Sequence, residues 1–236
     1  MNYSWRLDDF DTKVFGFKVA KITHIESEEY IEELVNELRE NKIRYATYRV
    51  LANNIPIIQK LQINNFILVD GLISLGTNPF ELKIEPPTPY IREAKKDDLP
   101  NLKKMTQGLY LLSRIYNDTL ISRAKADEFF TKWVENSILG NAADLVLVWE
   151  EKKEILGYIT LQKKGQIPLI GVSKQAQGRG IGKKLIEASL YKFKEWDIKE
   201  VIIETQVSNI PALRLDQDCG FKAVGSYLTF RWAHND

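Results

Sequence analysis

Six residues, Gln177-Gly178-Arg179-Gly180-Ile181-Gly182, constrain this chain more than any other stretch. They stand between an apolar run, Ile167 to Val172, and an amphipathic segment, Lys183 to Trp196, in which Leu185, Ile186, Leu190 and Phe193 share a face. Strand, glycine turn, helix is an order that builds an anion site. Gly180 and Gly182 lack Cβ, so the backbone can tighten and approach a ligand. The helix beyond starts with unpaired N–H groups at the positive end of its dipole, donors suited to a phosphate or pyrophosphate. The spacing excludes two familiar phosphate loops. A Walker loop has a longer glycine gap closed by Gly-Lys-Ser/Thr, whereas Gly182 is followed by Lys183, Lys184 and Leu185. A dinucleotide loop reads Gly-x-Gly-x-x-Gly, which Gly178 to Gly182 does not match.

The pattern that does fit, Gln-x-x-Gly-x-Gly from Gln177 to Gly182, resembles the coenzyme A pyrophosphate loop of the GNAT acyltransferases. The flanks resemble that family too. Downstream, Val201 to Thr205 reads as a buried strand, followed by Asn209, Ala212, Leu215 and then Gly220-Phe221. Upstream, Leu145 to Trp149 and Ile155 to Leu161 read as a hairpin around the charged turn Glu150 to Glu154. Tyr90 to Ala94 resembles a first strand, and a helix follows from Asp97 or Asp98, with Asp98 as its cap and Pro100 in its first turn. The resemblance covers about Tyr90 to Trp232. It implies an α/β (α+β) GNAT fold, a mixed twisted sheet in which two parallel strands, Ile167–Val172 and Val201–Thr205, splay apart.

Pro86-Pro87-Thr88-Pro89 is the clearest punctuation, a stiff connector between the first 85 residues and the rest. The domain reading is therefore residues 1–85, a linker at 86–89, and a coenzyme-binding domain over 90–236. The shorter part carries a repeat signal. Asn54-Ile55-Pro56 and Asn209-Ile210-Pro211 are identical and 155 residues apart, and at that offset Phe66 falls on Phe221 and Val69 on Val224. Ile58 and Ile73 match Leu213 and Leu228. With strand candidates at Val14–Ile22 and Ile43–Val50 and an amphipathic helix over Glu28–Arg39, the first half reads as a degenerate half of the same fold. Its strand-to-helix connector, Thr23-His24-Ile25-Glu26, has no glycine, Ser27 is its expected cap, and Glu26, Glu28 and Glu29 would repel a pyrophosphate. Its expected role is to extend the sheet and wall the acceptor pocket, leaving one coenzyme loop per chain.

Composition bounds the partners. Lys plus Arg number 33 against 32 Asp plus Glu, so no net field draws the chain to nucleic acid or a membrane. No apolar run is long enough to span a bilayer, and Met1 to Phe10 does not read as a signal peptide. Cys219 is the single cysteine, read as a buried structural thiol, and a reducing cytoplasm is the expected compartment. His24 and His234 have no ligand spacing around them, so no metal is expected. The oligomeric state is open, a homodimer among the options.

The resemblance also implies a reaction: an acetyl group passes from acetyl-CoA, as co-substrate, to a primary amine. Ile170, Gly171 and Val172 would pair with the pantetheine arm through their backbone, one N–H serving as an oxyanion donor. Gln177, Gly178, Arg179, Gly180, Ile181, Gly182 and Lys183 would hold the pyrophosphate, with Asn209 and Ala212 across the cleft. Many family members place a proton-donating tyrosine four residues before the Gly of Gly-Phe; this chain has Asp216 there. An ordinary aspartate, near 3.9, is ionised at neutral pH and donates only if burial raises its pKa. Asp216 is thus an acid, a base or a surface residue, with Tyr227, Tyr116 and Glu204 as substitutes, although Glu204 on a strand can equally face solvent. Val14 to Phe17, Ser113 to Tyr116 and Phe129 to Asn136 resemble the branch of sugar-nucleotide N-acetyltransferases like TDP-fucosamine acetyltransferase. That points to a small-molecule amine, an amino-sugar nucleotide, with Arg114 on its phosphate or in a surface salt bridge. Asp70 would lie on the amine or at a plain strand end, and Tyr116 would stack on a ring or sit in the core. A peptide or protein amine as acceptor, and a non-catalytic acyl-CoA-binding module, are the competing readings.

Overall fold

A computed structural model describes residues 2–234. In chain order the elements are β1 (Tyr3–Leu7), α1 (Asp9–Phe15), β2 (Val19–Ile25), α2 (Ile31–Glu40), β3 (Tyr45–Leu51), α3 (Ile55–Ile63) and β4 (Ile67–Thr77). There follow β5 (Ile91–Glu93), α4 (Leu99–Thr106), α5 (Arg114–Asn117), α6 (Arg123–Ile138), β6 (Leu145–Glu151) and β7 (Glu154–Leu161). The last are β8 (Gln166–Ile167), β9 (Ile170–Val172), α7 (Ile181–Glu195), β10 (Val201–Gln206), α8 (Ile210–Asp218) and β11 (Lys222–Ala233). These group into two compact units. One takes in residues 2–72, Ser113–Lys125 and 225–234; the other takes in Ile73–Leu112 and Ala126–Val224. The proline run 86–89 lies in irregular backbone with both flanks in the second unit.

In the first unit the strand order is β1-β2-β3-β11, with β2 parallel to β3 and the outer pairs antiparallel. The apolar stripe of α2, Ile31, Leu34, Val35 and Leu38, is buried with Ile57, Leu61, Phe66, Phe230 and Trp232. Two local expectations are corrected. Val14 and Phe15 end a helix rather than start a strand, because Gly16 at φ 81° closes α1 with its N–H on the Thr12 carbonyl. Ser27 makes no side-chain cap: a 3₁₀ turn, Glu28–Tyr30, intervenes before α2.

In the second unit β5, β6, β7 and β9 form a four-stranded sheet, and β4, β10 and β8 follow one another in that order. The β6–β7 hairpin is tighter than expected. Its turn is Lys152-Lys153, both left-handed at φ 50° and 69°, the geometry that suits a two-residue hairpin. Asp98 does precede α4, but its carboxylate takes N–H donors from Lys95 (2.7 Å) and from Arg92 (2.7 and 3.0 Å) instead of capping α4 itself. The core is Leu185, Ile186, Leu190 and Phe193 of α7 against Leu147, Leu156, Ile159, Val201, Ile203 and Phe221.

Residues 155 apart share backbone geometry as well as sequence. The nine-residue helices α3 and α8 begin and end at equivalent positions. Asn54 (φ −84°, ψ 71°) and Asn209 (φ −88°, ψ 64°) each accept the N–H three residues on, at 3.4 and 3.3 Å. Left-handed residues match too: Lys42 at 54° with Asp197 at 55°, and Asn65 at 63° with Gly220 at 91°. Ile31 and Ile186, Leu38 and Phe193, Phe66 and Phe221, Leu75 and Phe230 are buried pairs at that offset.

Candidate active site

The glycine loop is built as an anion cradle. Gly178 and Gly180 are left-handed, at φ 77° and 78°, a conformation that favours glycine, and nothing lies within 4 Å of where a Cβ would stand. Gly180 is the residue before α7, and no side chain caps that helix. The first-turn N–H groups of Ile181, Gly182 and Lys183 thus have no intrahelical acceptor. No acidic residue stands in that turn; it holds Lys183 and Lys184 instead. Cations at a helix N-terminus oppose the dipole, a local arrangement that makes sense with an anion beside them. Gly182 has a packing reason to be small: a Cβ there would meet Leu215 of α8 at 3.0 Å. Gln177 and Arg179 point away from the loop backbone. The Gln177 amide donates to the Val172 carbonyl (3.2 Å). Arg179 holds both carboxylate oxygens of Glu151 (2.8 and 2.6 Å), which also accepts from the Trp149 indole (2.8 Å). The Arg179 hydrogen bond, followed by that of Trp149, lowers the Glu151 pKa. Both loop side chains therefore brace the cradle.

The run Ile167–Val172 is not one strand. Pro168 carries no N–H and breaks it, so β8 stays parallel to β10, with Ile167 opposite Ile203, while β9 pairs with β7. This break is the splay. Ser173 donates to the Leu156 carbonyl (2.8 Å) and Thr160 to that of Leu169 (2.9 Å), two residues to either side of the Tyr158–Gly171 pair. Bonded pairs alternate in an antiparallel ladder, so Gly171 faces β7 while the N–H and C=O groups of Ile170 and Val172 face the other way. β9 is the last strand of its sheet, and apart from the Val172 carbonyl, which already accepts from Gln177, that edge is left for an extended ligand.

Asp216 lies on α8 in the same unit and is 2% exposed, so the surface reading fails. Its Oδ2 is buried without a hydrogen-bond partner. Burial pushes the carboxyl from 3.8 up to about 7. Leu61, 155 residues earlier on α3, is apolar and 0% exposed. Asn209 caps α8 through its Oδ1, with partly buried Ala212 supplying the donor. Glu204 is exposed on β10.

The remaining expected residues lie in the first unit. Tyr227 is partly buried on β11, opposite Leu51 of β3. Asp70 lies inside β4 rather than at a strand end. Tyr116 is partly buried on α5. Arg114 is no surface residue: it pairs with buried Asp11 at 3.4 Å, and its Nη1 is buried without a partner. Burial works against its charge, but Asp11 first and Asp70 later more than offset it, so its pKa is raised. Nearby, Asp118 accepts from the Tyr45 hydroxyl (2.7 Å) and lies 3.3 Å from Arg231 Nε, a buried polar cluster.

Residues 109–221 match the acetyltransferase (GNAT) family. That match, with the relatives below, supports the GNAT acetyltransferase superfamily for this chain. Among those relatives is the spore coat polysaccharide biosynthesis protein SpsD of Bacillus subtilis (strain 168). It is 26% identical over 165 residues, covering 69% of this chain and 57% of that protein. An N-alpha-acetyltransferase of Sulfurisphaera tokodaii is 38% identical over 93 residues, covering 33% of this chain and 56% of that protein. The chain thus spans just over half the length of these relatives. A GCN5-related N-acetyltransferase from Sphaerobacter thermophilus has the same fold, with a TM-score of 0.67 at 13% identity, over 98% of this chain and 76% of that one. Among the described residues no helix is long and apolar enough to cross a membrane, and no group of three His, Cys, Asp or Glu could hold a metal.

Against this GNAT frame one polar group was missed from the sequence. Tyr110 Oη lies 2.6 Å from Tyr158 Oη, and Thr106 Oγ1 lies 3.2 Å from the latter. The three residues come from α4, the loop after it, and β7, so no motif joins them. The one available signal was Gly171: a glycine in a strand interior marks a close approach, and a Cβ there would lie 2.4 Å from Leu109 and 3.2 Å from Tyr110 Oη.

Proposed function

We propose that this chain is an acetyl-CoA-dependent N-acetyltransferase whose acceptor is a primary amine of a small molecule, an amino-sugar nucleotide. The observation that carries the proposal is the pairing of an uncapped, basic helix start behind Gly178 and Gly180 with the outward backbone edge of β9. The two features fit the ends of one ligand: a pyrophosphate for the first, an amide-bearing arm for the second. When bound, acetyl-CoA supplies an activated thioester. The N–H groups of Ile181, Gly182 and Lys183 would hold its phosphates, Ile170 and Val172 its arm. The Asn209 cap uses only Oδ1, which leaves the Nδ2 donors for the same arm. An outward N–H of β9 would donate to the thioester oxygen as charge develops there.

Asp216 is the proposed acid. With its carboxyl raised to about 7, it keeps a substantial protonated fraction at neutral pH, and that proton sits on a buried carboxyl with an oxygen that no protein group claims. That proton would go to the departing sulfur. The first 85 residues are proposed to be a worn half of the same fold, supported by the shared geometry of α3 and α8; they keep the helices and lose the glycine loop.

The choice of a sugar acceptor is supported by the SpsD match, which reaches 69% of this chain and carries a polysaccharide biosynthesis name. A peptide amine is the second reading, favoured by the higher identity to the S. tokodaii N-alpha-acetyltransferase over the shorter stretch. Thiol release from acetyl-CoA, measured with TDP-fucosamine, free amino acids and alanine-headed peptides, decides between them. Fastest release with the nucleotide sugar supports the first reading and fastest release with peptides the second. Tight acetyl-CoA binding with no release for any amine assigns the chain as a binding module.

A further inference from the structure

We infer that the hydroxyl of Tyr110 receives the acceptor amine while giving its own proton to Tyr158. The inference rests on the acetyltransferase reading above. Its starting point is geometric. Gly171 is the middle residue of β9, between the two residues whose backbone groups face outward, and Tyr110 Oη lies 3.2 Å from where a Gly171 Cβ would stand. The hydroxyl therefore lies over the centre of the strand proposed to hold the thioester. Val172 reaches toward Gly182 on α7 from the same strand, so by alternation Tyr110 sits on the face that α7 leaves.

The hydroxyl is held rather than free. The Tyr110 ring stacks on Phe130 of α6 (4.5 Å between centroids, 25° between planes), which packs edge-on to Phe129. Gly108, two residues before it, is left-handed, and its N–H donates to Asp127 of α6 (3.0 Å). Thr106 shares its hydroxyl proton between the Leu102 carbonyl at 2.7 Å and Tyr158 Oη at 3.2 Å, so Tyr158 accepts from it. In the 2.6 Å bond between the two phenols either oxygen can donate. With Tyr110 as the donor to Tyr158, a lone pair of Tyr110 is left for an incoming N–H. A primary amine that gives one N–H to this oxygen is held while its own lone pair stays available for the acyl carbon. Tyr110 transfers no proton itself: burial first, then Tyr158, raises its pKa well above the ordinary value, so it stays neutral over the working range.

Tyr110→Phe keeps the stack and removes only the oxygen. The test uses the full chain with TDP-fucosamine and, in parallel, an alanine-headed peptide. Acceptor KM is expected to rise about tenfold, the loss of one hydrogen bond, with acetyl-CoA affinity by calorimetry and the position of the pH–rate profile unchanged. Tyr158→Phe should raise acceptor KM less, and the double variant should be no worse than Tyr110→Phe, because the second hydroxyl acts only through the first. A Tyr110→Phe variant within twofold of the parent for acceptor KM, or additive effects in the double variant, overturns the inference. If Tyr110→Phe does not fold, Tyr158→Phe decides: a rise in acceptor KM at constant acetyl-CoA affinity supports it and no rise overturns it. A parent chain that binds acetyl-CoA but acetylates no amine sinks the underlying reading before any variant is compared.

Discussion

In the proposed 155-residue repeat, α2 and α7 fall on one another and their starts are electrically opposite. Glu28 and Glu29 stand where the other half has Lys183 and Lys184, and Thr23 and Ile25 where it has Gly178 and Gly180. In the first half the acidic residues sit in a 3₁₀ turn and the first turn of α2, and themselves complement the dipole. In the second half that complement is missing from the protein, and two cations stand against it. A second reversal lies deeper. Leu61 fills its site in the first half with an apolar side chain, and the second half puts a carboxyl, Asp216, into the equivalent site. The comparison teaches where stability was set aside. At these two positions the first half follows the local preference and the second departs from it, and both are places where the proposed chemistry needs the departure.

The largest effect is expected from breaking the first reversal. Gly180→Glu puts a side chain at φ 78°, which costs about 1 kcal/mol, and a carboxylate at the helix start. Acetyl-CoA affinity should fall on the order of a hundredfold or more. Calorimetric titration checks this, and unchanged affinity would remove the loop from the binding site.

Next comes the second reversal. Asp216→Leu copies the first half into the second and should lower kcat by about a hundredfold or more, the usual weight of an acid in the transition state. It should also stabilise. The carboxyl is raised in the folded protein from 3.8 to about 7, so the folded state holds its proton more tightly than the unfolded one. The parent is then at its relative best below pH 4 and loses stability as pH rises from about 4 to about 7. The full loss corresponds to roughly 4 kcal/mol at about 1.4 kcal/mol per tenfold change. Urea unfolding at pH 5 and pH 8 should show this decline in the parent and not in the variant. In the parent, kcat should fall above about pH 7 as the acid ionises. A rate that instead rises through pH 7 assigns Asp216 as a base. The reverse change, Leu61→Asp, buries a carboxyl with no activity to gain and should cost roughly 3 kcal/mol or more.

Much of this architecture was legible because it rests on local rules. The glycine loop, the Asn-Ile-Pro starts of α3 and α8 and the stripe of α2 each declare themselves within about ten residues. What stayed hidden depends on distant partners or on burial. Arg114 finds Asp11 across 103 residues, and Tyr110 finds Tyr158 across 48. Whether Asp216 faced solvent could not be read from a helix of nine residues with one weak stripe, yet its identity as Leu61's counterpart was available at the known offset. Pro168 was readable as a strand break, and it marks the splay more sharply than the apolar run containing it.

The smallest expected effect sharpens the comparison furthest, because it tests two residues with the same local job. Asn54 and Asn209 cap α3 and α8 with nearly the same backbone angles and hydrogen-bond lengths. Replacing either by alanine should cost about 1 kcal/mol of helix stability, at most, since both bonds are long. If capping were their whole role, Asn54→Ala and Asn209→Ala would behave alike in every assay. The proposed site gives Asn209 a second task, its Nδ2 on the coenzyme arm, which Asn54 lacks because its half has no loop to bring that arm in. Equal losses in urea unfolding, with weaker acetyl-CoA binding in Asn209→Ala alone, would separate the function of the second half from the fold the two halves share. Equal binding in both variants would return Asn209 to a purely structural role and leave the arm to β9.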